Sequence, residues 1–220
     1  MWKIILNRLK QGRRTIAFPK GKLPVLPPRY RGRPPSQTSN VDLGEVTFVP
    51  DDGIMYGNDY QMAVSSRDDL KFDDCEKKLA QGLDKEMLRI FGRSLKLRQV
   101  SAGGCNACEA DVNVLNTVVF DLSRFGIQFV ASPRHADGLL VTGPITRNMK
   151  EALLKTYEAM PSPKIVIAVG ACAVSGGIFS ESQQASCGLD TVLHVDLYVP
   201  GCPPHPLTIL DGLLRILAKR

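Results

Sequence analysis

The sequence predicts an α/β protein whose body is a doubly wound, mostly parallel sheet, preceded by an extended basic arm. Three observations predict it. From residue 95 onward, short apolar runs alternate with stretches of helical period, the pattern of strands wound by crossover helices. Residues 1–40 hold ten Lys or Arg and no acidic residue, so the total of +6 leaves residues 41–220 at −4. Residues 18–36 hold six prolines, which bars a regular helix or an inner strand and predicts an extended arm laid over something else.

The elements follow in order. Residues 1–9 predict a short amphipathic helix with Trp2, Ile5, Leu6 and Leu9 on one side and Lys3 and Lys10 on the other. The helix could graze a membrane surface, but it is too short to bind lipid strongly alone, so the expectation is that it packs on a partner subunit. Residues 45–49 predict a strand before a Pro50–Gly53 turn. Leu79, Leu83, Met87 and Leu88 predict a helix over 77–91, with Gly92 ending it. In the body, strands are expected over 95–100, 127–131, 138–142, 164–169 and 194–199. Helical stretches are expected over 105–125, 148–160 and 203–218, the last carrying Leu207, Ile209, Leu210, Leu213, Leu214 and Leu217. Three parts result: a basic arm over 1–40, a linking segment over 41–94 and the α/β domain over 95–220.

Composition narrows the function classes. A hydrophobic content of 44% can build a core without disulfide staples, and no apolar run reaches the ~18 residues of a membrane span. The basic arm lacks zinc-finger spacing and aromatic-rich basic stretches, so nucleic acid is not the expected partner. Arg13–Arg14 is followed by no apolar export segment, so a reducing cytoplasm is expected. That demotes a disulfide reading of the six cysteines.

Four cysteines follow predicted strands. Cys105 and Cys108 follow 95–100, Cys172 follows 164–169, and Cys202 follows 194–199. In a parallel sheet these loops open at the carboxyl ends, where such folds place ligands. The topology would gather four thiolates on one rim, a set suited to a [4Fe–4S] cluster. Gly103, Gly104, Gly170, Gly176, Gly177 and Gly201 flank them and let backbone approach a bulky anionic group. A structural Cys₄ zinc site, a redox-active Cys105–Cys108 pair, and unrelated thiols are the competing readings. Cys75 and Cys187 read as spare thiols.

Four ordered motifs carry a resemblance: Gly104-Cys105-Asn106-Ala107-Cys108-Glu109; residues 132–143 from Ser132-Pro133-Arg134-His135; Gly170-Ala171-Cys172 with Ser175-Gly176-Gly177; and Val199-Pro200-Gly201-Cys202-Pro203-Pro204. Over residues 95–220 the chain resembles the small subunit of membrane-bound [NiFe] hydrogenases of the formate-hydrogenlyase and energy-converting type. That family is homologous to the cluster-carrying subunit of respiratory complex I. Complex I carries adjacent cysteines at the first pair, whereas the hydrogenase branch carries CxxC, as here. The resemblance implies a flavodoxin-like body with one [4Fe–4S] cluster on Cys105, Cys108, Cys172 and Cys202, and no catalytic residues of its own. It implies a large-subunit partner holding nickel-iron, ferredoxin-like and membrane subunits besides, and a peripheral place on the cytoplasmic side of the membrane. The alternative is a nickel-free, complex I-like relay to a quinone or another acceptor. A third reading is a cluster-free assembly protein.

Glu109, Arg134 and His135 are the candidate residues for tuning the cluster or lying on a proton path. Glu109 also reads as an acid favouring a helix N-terminus, and Arg134 and His135 as loop hydrogen-bonding groups. His194 and His205 read as structural. Residues 30–35 and 59–70 resemble the flanks of the two-cluster ferredoxin subunit of the same complexes, without its cysteines.

Overall fold

A computed structural model describes residues 2–12, 14–22, 24–34, 41–43, 56–72 and 78–220. The strand expected over 45–49, the Pro50–Gly53 turn and Cys75 lie outside these residues. In chain order the helices are α1 (Trp2–Gln11), α2 (Lys85–Phe91), α3 (Ala107–Val114), α4 (Arg147–Glu158), α5 (Ala171–Ser175) and α6 (Pro206–Ile216). A small antiparallel pair joins β1 (Val41–Asp42) to β2 (Lys71–Phe72). The body strands are β3 (Leu95–Ser101), β4 (Ile127–Phe129), β5 (Gly138–Thr142), β6 (Ile165–Val169) and β7 (Leu197–Val199).

The five body strands lie in the order β4-β3-β5-β6-β7, and every neighbouring pair is parallel. Counted from the first body strand this is 2-1-3-4-5, the flavodoxin-like order, with its topological switch between β3 and β5. The central strands β5 and β6 are buried at every position, as a sheet covered on both faces requires. On one face Leu95, Leu97, Leu140, Ile165, Ile167 and Val169 pack against α3 and α6. On the other, Leu139, Val141, Val166 and Ala168 pack against Leu153 of α4 and Ala173 and Val174 of α5. Helix α6 buries Leu207, Ile209, Leu210, Leu213 and Leu214 completely. Each such side chain is worth roughly 1.5–3 kcal/mol of transfer free energy before ordering entropy is subtracted.

Aspartates set where strands enter the sheet. Asp137 Oδ2 accepts from the Lys96 amide at 2.7 Å, and Asp196 Oδ2 accepts from the Val166 amide at 2.8 Å. Because Asp196 spends its side chain on the ladder, β7 begins at Leu197 rather than at the expected His194.

Three expected helices shrink. Over 78–84 the chain runs non-helical, because the Ala80 amide donates to the Ala63 carbonyl and the Leu83 amide to the Ile216 carbonyl. The helix therefore starts after Asp84, whose carboxylate caps the Met87 amide at 2.8 Å. Helix α3 stops at Val114, whose carbonyl is taken by the Thr117 amide and hydroxyl. A 3₁₀ turn at Leu122–Phe125 follows instead of continued α-helix. The last helix begins at Pro206, not Pro203, with His205 as its N-cap: Nδ1 accepts from the Leu207 amide at 3.1 Å.

The arm lies against the α6 side of the sheet. Phe18 and Tyr30 are buried, the Phe18 and Tyr60 rings meet edge-on at 5.8 Å, and Tyr30 meets the His205 ring edge-on at 5.3 Å. Burial pushes the Tyr30 phenol up to about 12. Val64 bridges Tyr198 antiparallel and covers the outer edge of β7. Asp211, fully buried on α6, holds Arg215 at 2.7 Å and Arg220 at 2.8 Å, and Arg220 donates to the Tyr60 hydroxyl at 3.0 Å. Among the described residues no helix is long and apolar enough to cross a membrane.

Candidate metal centre

The carboxyl ends of β3, β6 and β7 feed the three cysteine-bearing loops. Cys105 precedes α3 and Cys108 sits in its first turn; Cys172 is the second residue of α5; Cys202 follows β7 by three residues. Asn106 between the first pair takes a left-handed φ of 71°, which turns the chain sharply into α3. The loops after β6 and β7 are tied by amides of Gly170 and Ala171 donating to the carbonyls of Val199 and Gly201, at 2.9 and 2.8 Å.

Gly170 joins the first pair to this arrangement. A Cβ on Gly170 would lie 2.5 Å from Cys108 Sγ, so the loop after β6 runs directly against the sulfur delivered by β3. A Cβ on Gly177 would lie 3.1 Å from Cys172 Sγ. All four cysteines are free thiols, with Cys105 and Cys202 exposed and Cys108 and Cys172 partly buried.

Electrostatics marks them as one group. Burial first, then charge on Glu109, Cys172, Cys202 and Cys105, pushes the Cys108 thiol far above its usual range. Burial, then charge on Cys202 and Cys105, pushes the Cys172 thiol up to about 11. Charge on Cys105 and Cys202 thus acts on both partly buried thiols, and iron bound among them would reverse the sign of that effect.

Four thiolates are a donor set that suits a [4Fe–4S] cluster, and Cys105, Cys108, Cys172 and Cys202 would hold it. Glycine at 170 keeps space beside Cys108 Sγ that a side chain would fill.

Glu109 sits beside this rim, 7% exposed, and its Oε1 accepts from Thr142 Oγ1 at 2.6 Å. Burial raises its pKa, yet the donors Ser101, Thr142 and its own backbone amide outweigh burial and hold it below the usual carboxylate range. Ser101 and Thr142 are register partners across β3 and β5, so the switch point itself aims both hydroxyls at one carboxylate. Sequence reasoning missed them, and their only signal is a hydroxyl residue closing each strand. Just beyond, the Gly104 and Gly143 backbones touch: a Cβ on Gly143 would meet the Gly104 amide nitrogen at 2.5 Å.

Arg134 and His135 lie exposed in the 3₁₀ turn Pro133–His135 after the edge strand β4. Among the described residues neither forms a hydrogen bond or ion pair with the four cysteines or Glu109. His194 is exposed, 3.7 Å from Asp196, and His205 serves as the α6 cap. Cys187 is exposed and its thiol donates to the Ser180 carbonyl. A cavity of about 700 Å³ opens between the arm and Cys202, lined in part by Arg29, Arg31, Tyr56, Asp111 and His205. Of the four cysteines it touches Cys202 alone.

Fold and rim together define the class: an α/β, flavodoxin-like chain that delivers four cysteines to the carboxyl ends of its parallel strands. The chain belongs to the family described as NADH ubiquinone oxidoreductase, 20 Kd subunit, whose model matches residues 105–216 and so spans all four cysteines. It is 44% identical to the probable membrane-bound hydrogenase subunit mbhJ of Pyrococcus furiosus over 66% of this chain and 83% of that protein. It is 44% identical to formate hydrogenlyase subunit 7 of Escherichia coli over 60% of this chain and 51% of that one, so it spans about half that relative's length. It is 43% identical to an NADH-quinone oxidoreductase subunit of Heliobacterium modesticaldum over 54% of this chain and 68% of that one. Among solved structures, a chain of the membrane-bound sulfane sulfur reductase, an archaeal respiratory membrane complex, superposes with a TM-score of 0.54 at 33% identity. The match covers 62% of this chain and 75% of that one.

Proposed function

We propose that the chain carries one [4Fe–4S] cluster on Cys105, Cys108, Cys172 and Cys202 and relays electrons to or from the catalytic site of a partner large subunit in a membrane-bound [NiFe] hydrogenase complex. The observation that carries this is that the loops after β3, β6 and β7 bring the four cysteines to one end of the sheet, with Gly170 of the β6 loop running against Cys108 Sγ. When bound, the cluster supplies one-electron redox chemistry. The chain's own part is to hold the four sulfurs, to keep Gly170 out of their way, and to fix an ionised Glu109 beside Cys108. No residue of this chain is assigned a catalytic role.

Docking on a partner is supported by the surface next to Cys172. Ile178 and Phe179, in the 3₁₀ turn that follows α5, are 71% and 40% exposed. Large apolar side chains beside a redox site are covered when a partner closes over them. The arm after α1 and the segment over 41–94 are proposed as docking elements for further subunits, ferredoxin-like and membrane-embedded, on the cytoplasmic side of the membrane.

A second reading keeps the relay and changes its terminus: a nickel-free complex passing electrons to a quinone, a ferredoxin or another acceptor. It is favoured by the structural neighbour, whose complex is a sulfane sulfur reductase, and by the NADH-quinone oxidoreductase subunits among the relatives. The test is anaerobic metal and sulfide content of the complex isolated with its partners, with EPR after reduction. About four irons and four sulfides assigned to this subunit, lost in Cys172→Ser, are expected. Nickel in the partner selects hydrogenase, and its absence selects the second reading. An unchanged cluster in Cys172→Ser, or zinc in place of iron, overturns the proposal.

A further inference from the structure

Helix α1 stands apart from everything described above. None of its residues is buried, and its apolar side chains are open to solvent, with Trp2 77% and Leu9 75% exposed. At 100° per residue Trp2, Ile5, Leu6 and Leu9 form one stripe about a quarter of the circumference wide. Lys3 and Lys10 flank it on one side and Arg8 on the other. The ten-residue helix is about 15 Å long, and no acidic residue lies within the first 40 positions of the chain.

The arm is clamped to the body immediately after this helix. Thr15 Oγ1 donates to the Val118 carbonyl and the Ile16 amide to the Val119 carbonyl, both at 2.9 Å, and Arg124 donates to the carbonyls of Ile16 and Phe18. Thr15 lies four positions after Gln11, so α1 is rooted within about 14 Å of the clamp on Val118 and Val119. Those two valines are themselves exposed, at 60% and 41%. Among the described residues, the root of the helix and the helix itself thus present exposed apolar surface.

We propose that α1 lies in the interface of an anionic lipid bilayer, with Trp2, Ile5, Leu6 and Leu9 in the acyl boundary and Lys3, Arg8 and Lys10 at the phosphates. Charge complementarity selects this occupant. Cations on both flanks of a narrow apolar stripe bring their stems along the apolar surface and their heads to one plane, the geometry of a headgroup layer. The uniformly basic arm adds long-range attraction to an anionic surface, while the rest of the chain is net acidic. The proposal rests on the reading that this chain serves a membrane-bound complex, and it is independent of the cluster.

Trp2 is the only tryptophan in the chain, so its emission reports α1 without a label. The full-length, iron-loaded chain is mixed with phosphatidylcholine vesicles, with and without phosphatidylglycerol, at low and high salt. The expected result is a blue shift of Trp2 emission and co-sedimentation with the anionic vesicles only, weakened by salt. Lys3→Gln, Arg8→Gln and Lys10→Gln each weaken binding roughly fivefold, and Leu9→Glu abolishes it. Cys172→Ser loses iron and binds vesicles unchanged, which separates this proposal from the cluster assignment. Unshifted emission with no co-sedimentation, or binding that survives Leu9→Glu, overturns it. So does a blue shift already present in the assembled lipid-free complex and unresponsive to vesicles, which would place α1 in a protein groove.

Discussion

Gly170→Ala adds one methyl group at the point where two cysteine loops meet. Gly170 has a φ of +92°, a region that costs a residue with a Cβ about 1–3 kcal/mol. The new Cβ would sit 2.5 Å from Cys108 Sγ, roughly 1 Å inside ordinary contact, so the sulfur or the loop must shift by about that much. Overpacking of this kind adds about 1–3 kcal/mol, which makes the total loss of folding stability about 2–5 kcal/mol. Gly176→Ala is the matched control. Its φ is +83° and its Cβ would meet Ser180 at 2.9 Å, so it is strained to a similar degree with no sulfur in the way. Both variants are purified anaerobically and compared by urea midpoint and by iron and sulfide per chain. Similar losses of stability, with cluster loading falling far more in Gly170→Ala, are expected. Equal loading in the two variants at equal stability would refute the claim that Cys108 is held at a cluster position by this contact.

Thr142→Val removes the 2.6 Å donor to Glu109 and should cost about 1.5–3 kcal/mol at neutral pH. Since the folded pKa of Glu109 is depressed, its contribution is present above the unfolded value near 4.5 and lost as pH falls through the folded one. The gap in urea midpoint between wild type and variant should therefore narrow at acid pH, and a gap constant with pH counts against the assignment. Burial lowers the pKa of His205, whose neutral Nδ1 caps α6. That stability is present above the ordinary histidine value of 6.5 and lost as pH falls from there through the lower folded pKa. In His205→Asn, which caps at any pH, this portion of the acid sensitivity in a thermal-melt series should disappear. In iron-free chain at neutral pH, raised thiol pKa values keep Cys108 and Cys172 protonated, so mass spectrometry should find exposed Cys187 alkylated by iodoacetamide well before them. Early modification of Cys172 would contradict its burial.

The legible parts of this protein are those fixed by local pattern. Strand β5 occupies the residues expected of it, because its apolar run is bounded by Asp137 and Gly143, which close the ladder and turn the chain. The positions of the four cysteines are legible for the same reason: each follows a recognisable strand. Helix α2 is shorter than its pattern because the spacing of Leu79 and Leu83 matches a helix as well as it matches an extended segment with alternate side chains against the body. Only the partner carbonyls of Ala63 and Ile216, far away in the chain, decide between them. The hydroxyl pair on Glu109 is hidden more deeply. It depends on β3 lying next to β5 in a register that pairs Ser101 with Thr142, and strand order is not written in either strand.

The arrangement around Glu109 and Cys108 follows from that strand order in one further step. Parallel strands deliver their loops to one end, and the switch between β3 and β5 opens a crevice there because the chain leaves the two strands in opposite directions. The first cysteine pair comes out of one side of the crevice, while Thr142 and Gly143 form the other. A carboxylate placed immediately after Cys108 must then enter the crevice and would be costly to bury. The two strand-closing hydroxyls offset that cost, holding the Glu109 pKa below the usual carboxylate range although burial pushes it up. A fixed negative charge beside the proposed cluster would disfavour a further electron, so the same hydroxyls would act on its potential as well as on folding. In an iron-loaded chain, Glu109→Gln should raise the reduction potential of the bound centre, and Thr142→Val, which leaves the carboxylate in place but less firmly ionised, should shift it the same way by less.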